Sequence, residues 1–172
     1  MTAREFERVV GESRDRLFGY ALYFLANREE AEDVVQDVYL RLWQHRQEID
    51  GSRVNGWLVS VSRNLCRDRL RRRKVRSSVN VDTEALSEIA GDGQQPDASA
   101  SAALFNEALK GALSRLPDPQ KSIVILREIQ GMSYREIGDA LELPMTSVKV
   151  YLHRGRRALR LELTKVLQRE AV

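Results

Sequence analysis

The side chains with the clearest chemistry lie near the C-terminus, where basic residues follow one another at helical spacing. They are Lys149, His153, Arg154, Arg156, Arg157 and Arg160. In the same stretch Val148, Leu152 and Leu159 recur at the spacing of an apolar face, which predicts a helix with one buried and one basic side. Basic side chains donate hydrogen bonds to phosphate oxygens and to guanine O6 and N7. The stretch therefore predicts a helix that binds DNA.

A shorter helix and a tight turn precede this basic helix. Ser133 and Glu136 have the spacing of a capping box, which marks a helix start. Pro144 prevents that helix from continuing, and we expect Thr146 or Ser147 to cap the next one. A short helix, a turn and a basic helix form the arrangement that places a second helix in the major groove.

The whole chain has 172 residues, enough for one medium domain or two small ones. Its net charge is only +3, but the charge is unevenly placed. Residues 29–37 hold five acids and no base, whereas residues 63–76 hold eight bases and one acid. This asymmetry predicts two different partners, one basic and one polyanionic.

Cysteine content and hydropathy restrict the class of protein. Cys66 is the only cysteine, so neither an internal disulfide nor a thiolate zinc site is expected. The N-terminus does not resemble a signal peptide, and no apolar run approaches the ~18 residues of a membrane span. We expect a cytoplasmic protein without membrane insertion.

Apolar residues recur at three- and four-residue steps along most of the chain, which predicts helices. The first three predicted helices cover residues 4–26, 28–45 and about 54–75. The pattern resumes from Ser101 with Leu104, Phe105, Ala108, Leu109, Ala112 and Leu116, and a last stretch before the helix-turn-helix is capped by Asp118, begins at Pro119 and ends at Gly131. Residues 77–100 are polar, small and acidic, which predicts a flexible linker. We therefore expect an all-α fold with two small helical domains, residues 1–76 and 101–172, the second containing the helix-turn-helix.

Taken in order, these features resemble a bacterial RNA polymerase sigma factor of the extracytoplasmic-function (ECF, group IV) subfamily of the sigma-70 family. The resemblance is carried by residues 31–43 (AEDVVQDVYLRLW), residues 57–73 (WLVSVSRNLCRDRLRRR), Leu116-Pro, Leu126-Arg-Glu and the segment from Ser133 to Arg157. It implies a subunit that binds core RNA polymerase at the β′ coiled-coil and the β flap, selects promoters and helps to melt the −10 element. It also implies control by an anti-sigma factor. It implies no catalytic residue, no cofactor and no metal ion.

The resemblance assigns polymerase binding to the acidic second helix. The matching residues are Asp33, Gln36, Asp37, Leu40 and Trp43. Carboxylates beside an apolar strip suit a basic, amphipathic partner helix. The alternative is an ordinary solvated face with acids near the positive end of the helix.

The resemblance assigns −10 recognition to the third helix and the polar loop before it. The matching residues are Asn55, Trp57, Ser60, Asn64, Arg67, Arg71 and Arg72. Arginines neutralise phosphates, while aromatic and amide groups can hold an unstacked base. Core packing is the competing role for Trp57, and a helix-surface or capping role competes for Asn64.

The residues that match the −35 contacts of the family lie around the helix-turn-helix. They are Arg127, Tyr134, Lys149, Val150, His153, Arg154, Arg156 and Arg157. Lys149 and Arg154 can reach guanine or phosphate, whereas Arg156 and Arg157 suit the DNA backbone. Several residues depart from the pattern that is frequent in the family at this turn: Glu142 and Thr146 replace glycines, Ser147 replaces threonine, and Val150-Tyr151 replace Ser-Arg. Gly138 replaces alanine at an expected cost of about 0.5–1 kcal/mol. The −35 preference of a relative therefore does not transfer to this chain.

Two other functional classes compete with this interpretation. A conventional helix-turn-helix regulator would read a palindrome as a dimer, and a metal-dependent nuclease could use the acids of residues 29–37. Within the linker, five acids between residues 77 and 100 would suit the positively lined polymerase channel of the family, although a plain solvated linker also explains them.

Overall fold

The computed structural model describes residues 1–79 and 100–170, and these residues are mainly helical. The helices are α1 (Ala3–Leu25), α2 (Arg28–His45), α3 (Val54–Val79), α4 (Ala100–Ser114), α5 (Gln120–Val124), α6 (Tyr134–Leu141) and α7 (Met145–Glu170), with a 3-10 turn at Gly51–Arg53 and a π-helical turn at Ile125–Ile129. The contacts divide these helices into two units, α1–α3 and α4–α7. The prediction of two helical domains is confirmed, with no strand in either described range. Residues 80–99, which include most of the predicted linker and its acids, lie outside the described residues.

In the first unit, α1 and α2 form an antiparallel hairpin with a two-residue connection. Ala26 adopts the left-handed conformation (φ 52°), and the Asn27 side chain accepts a hydrogen bond from the backbone N–H of Glu30 at 2.9 Å. At the other end of the hairpin, the rings of Phe6 and Trp43 meet edge to face at 5.1 Å. The prediction that Asn27 separates two helices is confirmed, and Asn27 also caps the second of them.

The core of the first unit lies between the three helices. Leu17 of α1, Leu42 of α2 and Leu58 of α3 are all fully buried. Burying a leucine side chain contributes roughly 1.5–3 kcal/mol. This packing holds α3, which carries the predicted −10 residues, against the hairpin.

Helix α3 extends at least to Val79, the last residue described before the gap, which is four residues beyond the predicted end at Val75. The Ser77 hydroxyl donates to the carbonyl of Lys74 at 2.9 Å, and the Ser78 hydroxyl donates to that of Val75 at 2.8 Å. Serine costs little in a helix when its hydroxyl finds such a local acceptor. The predicted end was wrong, and the helix continues past the predicted domain boundary at residue 76.

The second unit packs α4, α5 and α6 against the long helix α7. Its fully buried residues include Leu113, Ile123, Ile137 and Leu152, one from each of these helices. The helix predicted from Ser101 is present as α4, but Leu104 and Phe105 of its apolar pattern are 59% and 50% exposed. Periodicity identifies the apolar face of a helix, but it does not tell how much of that face a neighbouring helix covers.

The start of α5 differs from the prediction. Pro119, rather than Asp118, occupies the position before the helix, and the carboxylate of Asp118 accepts a hydrogen bond from the Ser122 hydroxyl. At its other end α5 widens into the π-helical turn, where the N–H of Gln130 donates to the carbonyl of Ile125 at 3.0 Å. The helical segment then stops at Gly131 (φ 69°), as predicted.

The turn between α6 and α7 depends on a close backbone approach at Gly138. A Cβ atom on Gly138 would lie 2.8 Å from the carbonyl oxygen of Leu143, whose N–H donates to the Gly138 carbonyl at 2.9 Å. The expected cost of having glycine instead of alanine here is therefore wrong, because alanine does not fit without a shift of the turn.

The ends of α6 and α7 agree only in part with the sequence. The capping box of Ser133 and Glu136 is confirmed, with hydrogen bonds of 3.1 and 2.7 Å. The predicted cap at Thr146 or Ser147 is wrong, since α7 already begins at Met145 and Pro144 accepts its first backbone hydrogen bond. Because proline has no N–H to satisfy, the position just before a helix suits it.

Glu142 ends α6 in the left-handed conformation, with φ 55° and ψ 44°. A residue with a Cβ is strained there, and glycine is not. We expect Glu142→Gly to raise the free energy of unfolding of the second unit by about 0.5–1 kcal/mol. Urea unfolding of the full chain, followed by circular dichroism, measures this change, and an unchanged or lower midpoint would contradict it.

Candidate nucleic-acid and protein interfaces

One exposed face of α3 carries most of the predicted −10 residues. Trp57, Ser60, Asn64, Arg67 and Arg71 follow one another in steps of three and four residues, so they share one side of the helix. None of them belongs to the buried face of α3. Trp57 is only half-buried, so core packing does not account for the whole side chain. We call this row the α3 stripe.

The C-terminal part of the α3 stripe borders a surface pocket of about 490 Å³, which is lined by Asn64, Arg67, Asp68 and Arg71. Asp68 was not among the predicted residues. Its carboxylate pairs with the Arg71 guanidinium at 3.1 Å and brings a hydrogen-bond acceptor into an otherwise donor-rich pocket. The three-residue spacing of Asp68 and Arg71 was the signal that could have identified this pair.

Asn55 is the one predicted −10 residue that lies well apart from the α3 stripe. It is exposed in the first turn of α3, and its Oδ1 accepts a hydrogen bond from Arg16 of α1 at 3.0 Å. Arg72 is also exposed and lies beside the stripe, next in sequence to Arg71. The predicted −10 set therefore divides into a continuous row on α3 and a separate amide at the start of the helix.

The arginine-rich end of α3 has two sides with different partners. Arg69 faces α2 and contacts Asp37 at 3.0 Å and Asp33 at 3.6 Å. One turn later, Arg73 forms a bidentate pair with Glu30. Arg69 and Arg73 are thus engaged by α2. Arg71, whose partner Asp68 lies on the same exposed side of α3, and Arg72 are better placed to meet phosphates.

The acidic surface of α2 combines charge with exposed apolar area. Asp33 and Asp37 keep much of their surface exposed despite the contact with Arg69. Beside them, Leu40 is 61% and Trp43 is 42% exposed, and Gln36 is exposed. The structure brings all five predicted polymerase-binding residues onto the outer side of one helix. Large exposed apolar side chains of this kind are typical of protein interfaces.

The acids of α2 are the metal ligands that the nuclease alternative would require. Three of them, Glu30, Asp33 and Asp37, are paired with arginines of α3, and a fourth, Glu32, pairs with Arg28. In the part of the chain that the structure describes, no three His, Cys, Asp or Glu side chains are grouped to hold a metal ion.

The outer side of α7 exposes the predicted −35 residues. Lys149, Val150, His153, Arg154, Arg156 and Arg157 are all exposed, whereas Val148, Leu152 and Gly155 face the core. The amphipathic helix that the sequence predicts is therefore present. His153 is on its exposed basic side rather than in the core.

Arg127 and Tyr134 contact each other instead of extending separately. The Arg127 guanidinium lies 4.8 Å from the centre of the Tyr134 ring and donates to the carbonyl of Met132 at 2.8 Å. Arg127 thereby ties the π-helical turn to the start of α6. Such turns are frequent at functional sites because they change the direction of the side chains around them.

Glu128 is an acidic residue in the predicted DNA-facing region that sequence reasoning missed. The Arg156 side chain donates to its carboxylate at 2.7 Å through Nε and 2.5 Å through Nη2. The hydrogen bond to Glu128 raises the pKa of the Arg156 guanidinium. The two residues are 28 positions apart, so no local spacing could have revealed the pair.

Comparison with known proteins identifies the family of this chain. The sigma-70 region 2 family model matches residues 9–76, and the sigma-70 region 4 model matches residues 106–159. Over 165 residues the chain is 30% identical to the ECF RNA polymerase sigma factor SigW of Bacillus subtilis. The matched region covers 92% of this chain and 88% of the relative. The chain belongs to the ECF sigma factors. It is therefore a transcription initiation factor rather than a conventional dimeric helix-turn-helix regulator.

Further comparisons agree with this assignment to the ECF sigma factors. The chain is 33% identical over 154 residues to SigL of Mycobacterium tuberculosis, covering 87% of this chain and 84% of the relative. Its fold is similar to that of the sigma factor RpoE of Bartonella quintana in complex with the anti-sigma factor NepR, with a TM-score of 0.72 and 23% identity over 94% of this chain and 98% of that one. Within the described residues, no helix is long and apolar enough to cross a membrane.

Proposed function

We propose that this ECF sigma factor reads the two promoter elements with two separate surfaces. The α3 stripe, together with Asn55 and Arg72, contacts the melted −10 strand. The exposed side of α7, together with Arg127 and Tyr134, contacts the −35 duplex. The observation that supports this division is that each unit presents one exposed, donor-rich helix face of its own.

The acidic surface of α2 is proposed to bind core RNA polymerase. Its carboxylates attract a basic partner, and the exposed side chains of Leu40 and Trp43 supply apolar area at the centre of the contact. By analogy with the family, the partner is the β′ coiled-coil, and the second unit meets the β flap. Residues 1–76 and 101–172 would then act as the two functional domains.

We further propose that an anti-sigma factor holds this protein inactive. The sigma factor RpoE, whose fold is similar, was crystallised with its anti-sigma factor, and an inhibitor that covers exposed polymerase-binding residues would suit the surface of α2. A factor that works on the polymerase and the chromosome acts in the cytoplasm. It supplies binding surfaces rather than catalytic residues, so it is not expected to be an enzyme.

Reconstituted transcription tests the proposed function. The purified protein is mixed with core RNA polymerase and a library of genomic fragments, and the 5′ ends of the RNA are sequenced. We expect start sites that need this protein and share two upstream elements. The absence of new start sites, combined with tight sequence-specific binding of DNA by the protein alone, would overturn the proposal.

Leu40 offers a direct test of the polymerase surface, because it is 61% exposed and belongs to no buried cluster. We expect Leu40→Asn to weaken binding to core polymerase about tenfold or more, as truncation of an interface hot spot does, with unchanged stability. The matched control is Val75→Asn on α3, where the side chain is 57% exposed. Binding to immobilised core polymerase measures both variants, and equal affinities would contradict the assignment.

A further inference from the structure

Arg16 of α1 holds the side chain of Asn55, the separate member of the predicted −10 set. Its Nη2 donates to Asn55 Oδ1 at 3.0 Å. The Nε of Arg16 is buried and has no acceptor within residues 1–79 and 100–170. The guanidinium is thus partly buried against the protein, and it donates to the Asn55 amide oxygen.

This contact fixes which way the Asn55 amide points. A guanidinium has donors and no acceptor, so only the amide oxygen can face it. The opposite orientation would place two donors against each other. The Nδ2 group must therefore face away from Arg16, and in the described part of the chain it meets no acceptor. A freely rotating asparagine can turn either its oxygen or its nitrogen toward a ligand, whereas the Asn55 amide is held with its oxygen on Arg16 and its N–H donors on the side away from Arg16.

We propose that Arg16 is a positioning residue that sets base specificity at Asn55. With its amide fixed, Asn55 accepts an unstacked −10 base that presents a ring nitrogen or a carbonyl oxygen, and it disfavours one that presents an amino group. This inference rests on the proposed function, in which Asn55 contacts the −10 strand. Arg16 itself need not touch the base.

The test measures base preference at each −10 position with promoters randomised at that position, in transcription by the full-length protein with core polymerase. We expect Arg16→Met to reduce the preference at one position by about tenfold, because the amide can then rotate, while binding to core polymerase is unchanged. Arg16→Lys keeps a donor and should keep the preference. Arg14→Met removes the same charge two residues away and should also keep it.

Asn55→Asp gives a second, opposite readout at the same position. A carboxylate still pairs with Arg16, but it presents only acceptors outward, so the preference should move toward bases that present an amino group. Tryptophan fluorescence during urea unfolding reports whether each variant is folded, since Trp43 and Trp57 both lie in the first unit.

Several results would overturn the inference, and they are distinguishable from failure of the proposed function. If Asn55→Ala changes base preference and Arg16→Met does not, the orientation does not depend on Arg16 and the −10 role of Asn55 stands. If Arg16→Met lowers transcription equally for every base, Arg16 has only a structural role. If Asn55→Ala changes no preference, the −10 role of Asn55 and the inference fail together. If the unmodified protein directs no start sites, the proposed function fails, and the inference fails with it.

Discussion

Gly155→Ala is expected to lower the free energy of unfolding of the second unit by about 2–3 kcal/mol, the cost of overpacking a tight core. A Cβ atom on Gly155 would lie 2.6 Å from Cγ2 of Val124 and 3.3 Å from the carbonyl oxygen of Gln120. Val124 is almost fully buried, so its methyl group has no open space to move into. The substitution must push α5 away from α7, the helix that presents the predicted −35 contacts.

Two spectroscopic signals separate this effect from changes in the first unit. Both tryptophans lie in the first unit, so the urea midpoint of their fluorescence should not change. The circular dichroism transition that reports unfolding of the second unit should move to a lower urea concentration. Gly111→Ala is the matched control, because among the described residues an added Cβ there meets no atom within 4 Å outside its own stretch of helix backbone. We expect it to stabilise α4 by about 0.5–1 kcal/mol. Equal effects of the two substitutions would show that α5 and α7 are not in close contact at Gly155.

Arg73→Met is expected to lower the free energy of unfolding of the first unit by about 2 kcal/mol, a value typical of losing hydrogen bonds to a charged group. Arg73 pairs with Glu30 of α2 and donates to the carbonyl of Leu25 at 3.0 Å. That carbonyl lies in the last turn of α1, which has no basic residue of its own to offset the helix dipole. One guanidinium therefore connects all three helices of the unit.

Arg72→Met is the matched control for Arg73, with the opposite pattern expected. Arg72 is exposed, so its removal should change stability by less than about 0.5 kcal/mol. Because Arg72 is a proposed phosphate contact, Arg72→Met should reduce the slope of the logarithm of the promoter-binding constant against the logarithm of the salt concentration by about one. Urea unfolding and DNA binding at several salt concentrations measure the two effects. If Arg73→Met leaves stability unchanged and reduces only the salt slope, the structural role of Arg73 is contradicted.

The predictions that held concern features determined by neighbouring residues. The capping box of Ser133 and Glu136 and the stop at Gly131 are confirmed because each depends on contacts or backbone angles within a few positions. The helix-turn-helix and the basic side of α7 followed from spacing alone. The predicted caps at Asp118 and at Thr146 or Ser147 were wrong, because several residues near a helix start can act as the cap. A proline occupies the position just before the helix in both places.

The sequence also determined the family, since its motifs lie in an order that two family models match. Only the tertiary structure decided what the charged and small residues do within that family. Arg72 and Arg73 are identical in type and adjacent, but α2 lies beside only one side of α3, so Arg73 finds an acid and Arg72 remains exposed. The pairing of Glu128 with Arg156, the contact of Arg16 with Asn55 and the close approach at Gly155 join residues far apart in the chain. Local spacing carries no information on such contacts, because they depend on how the helices pack against one another.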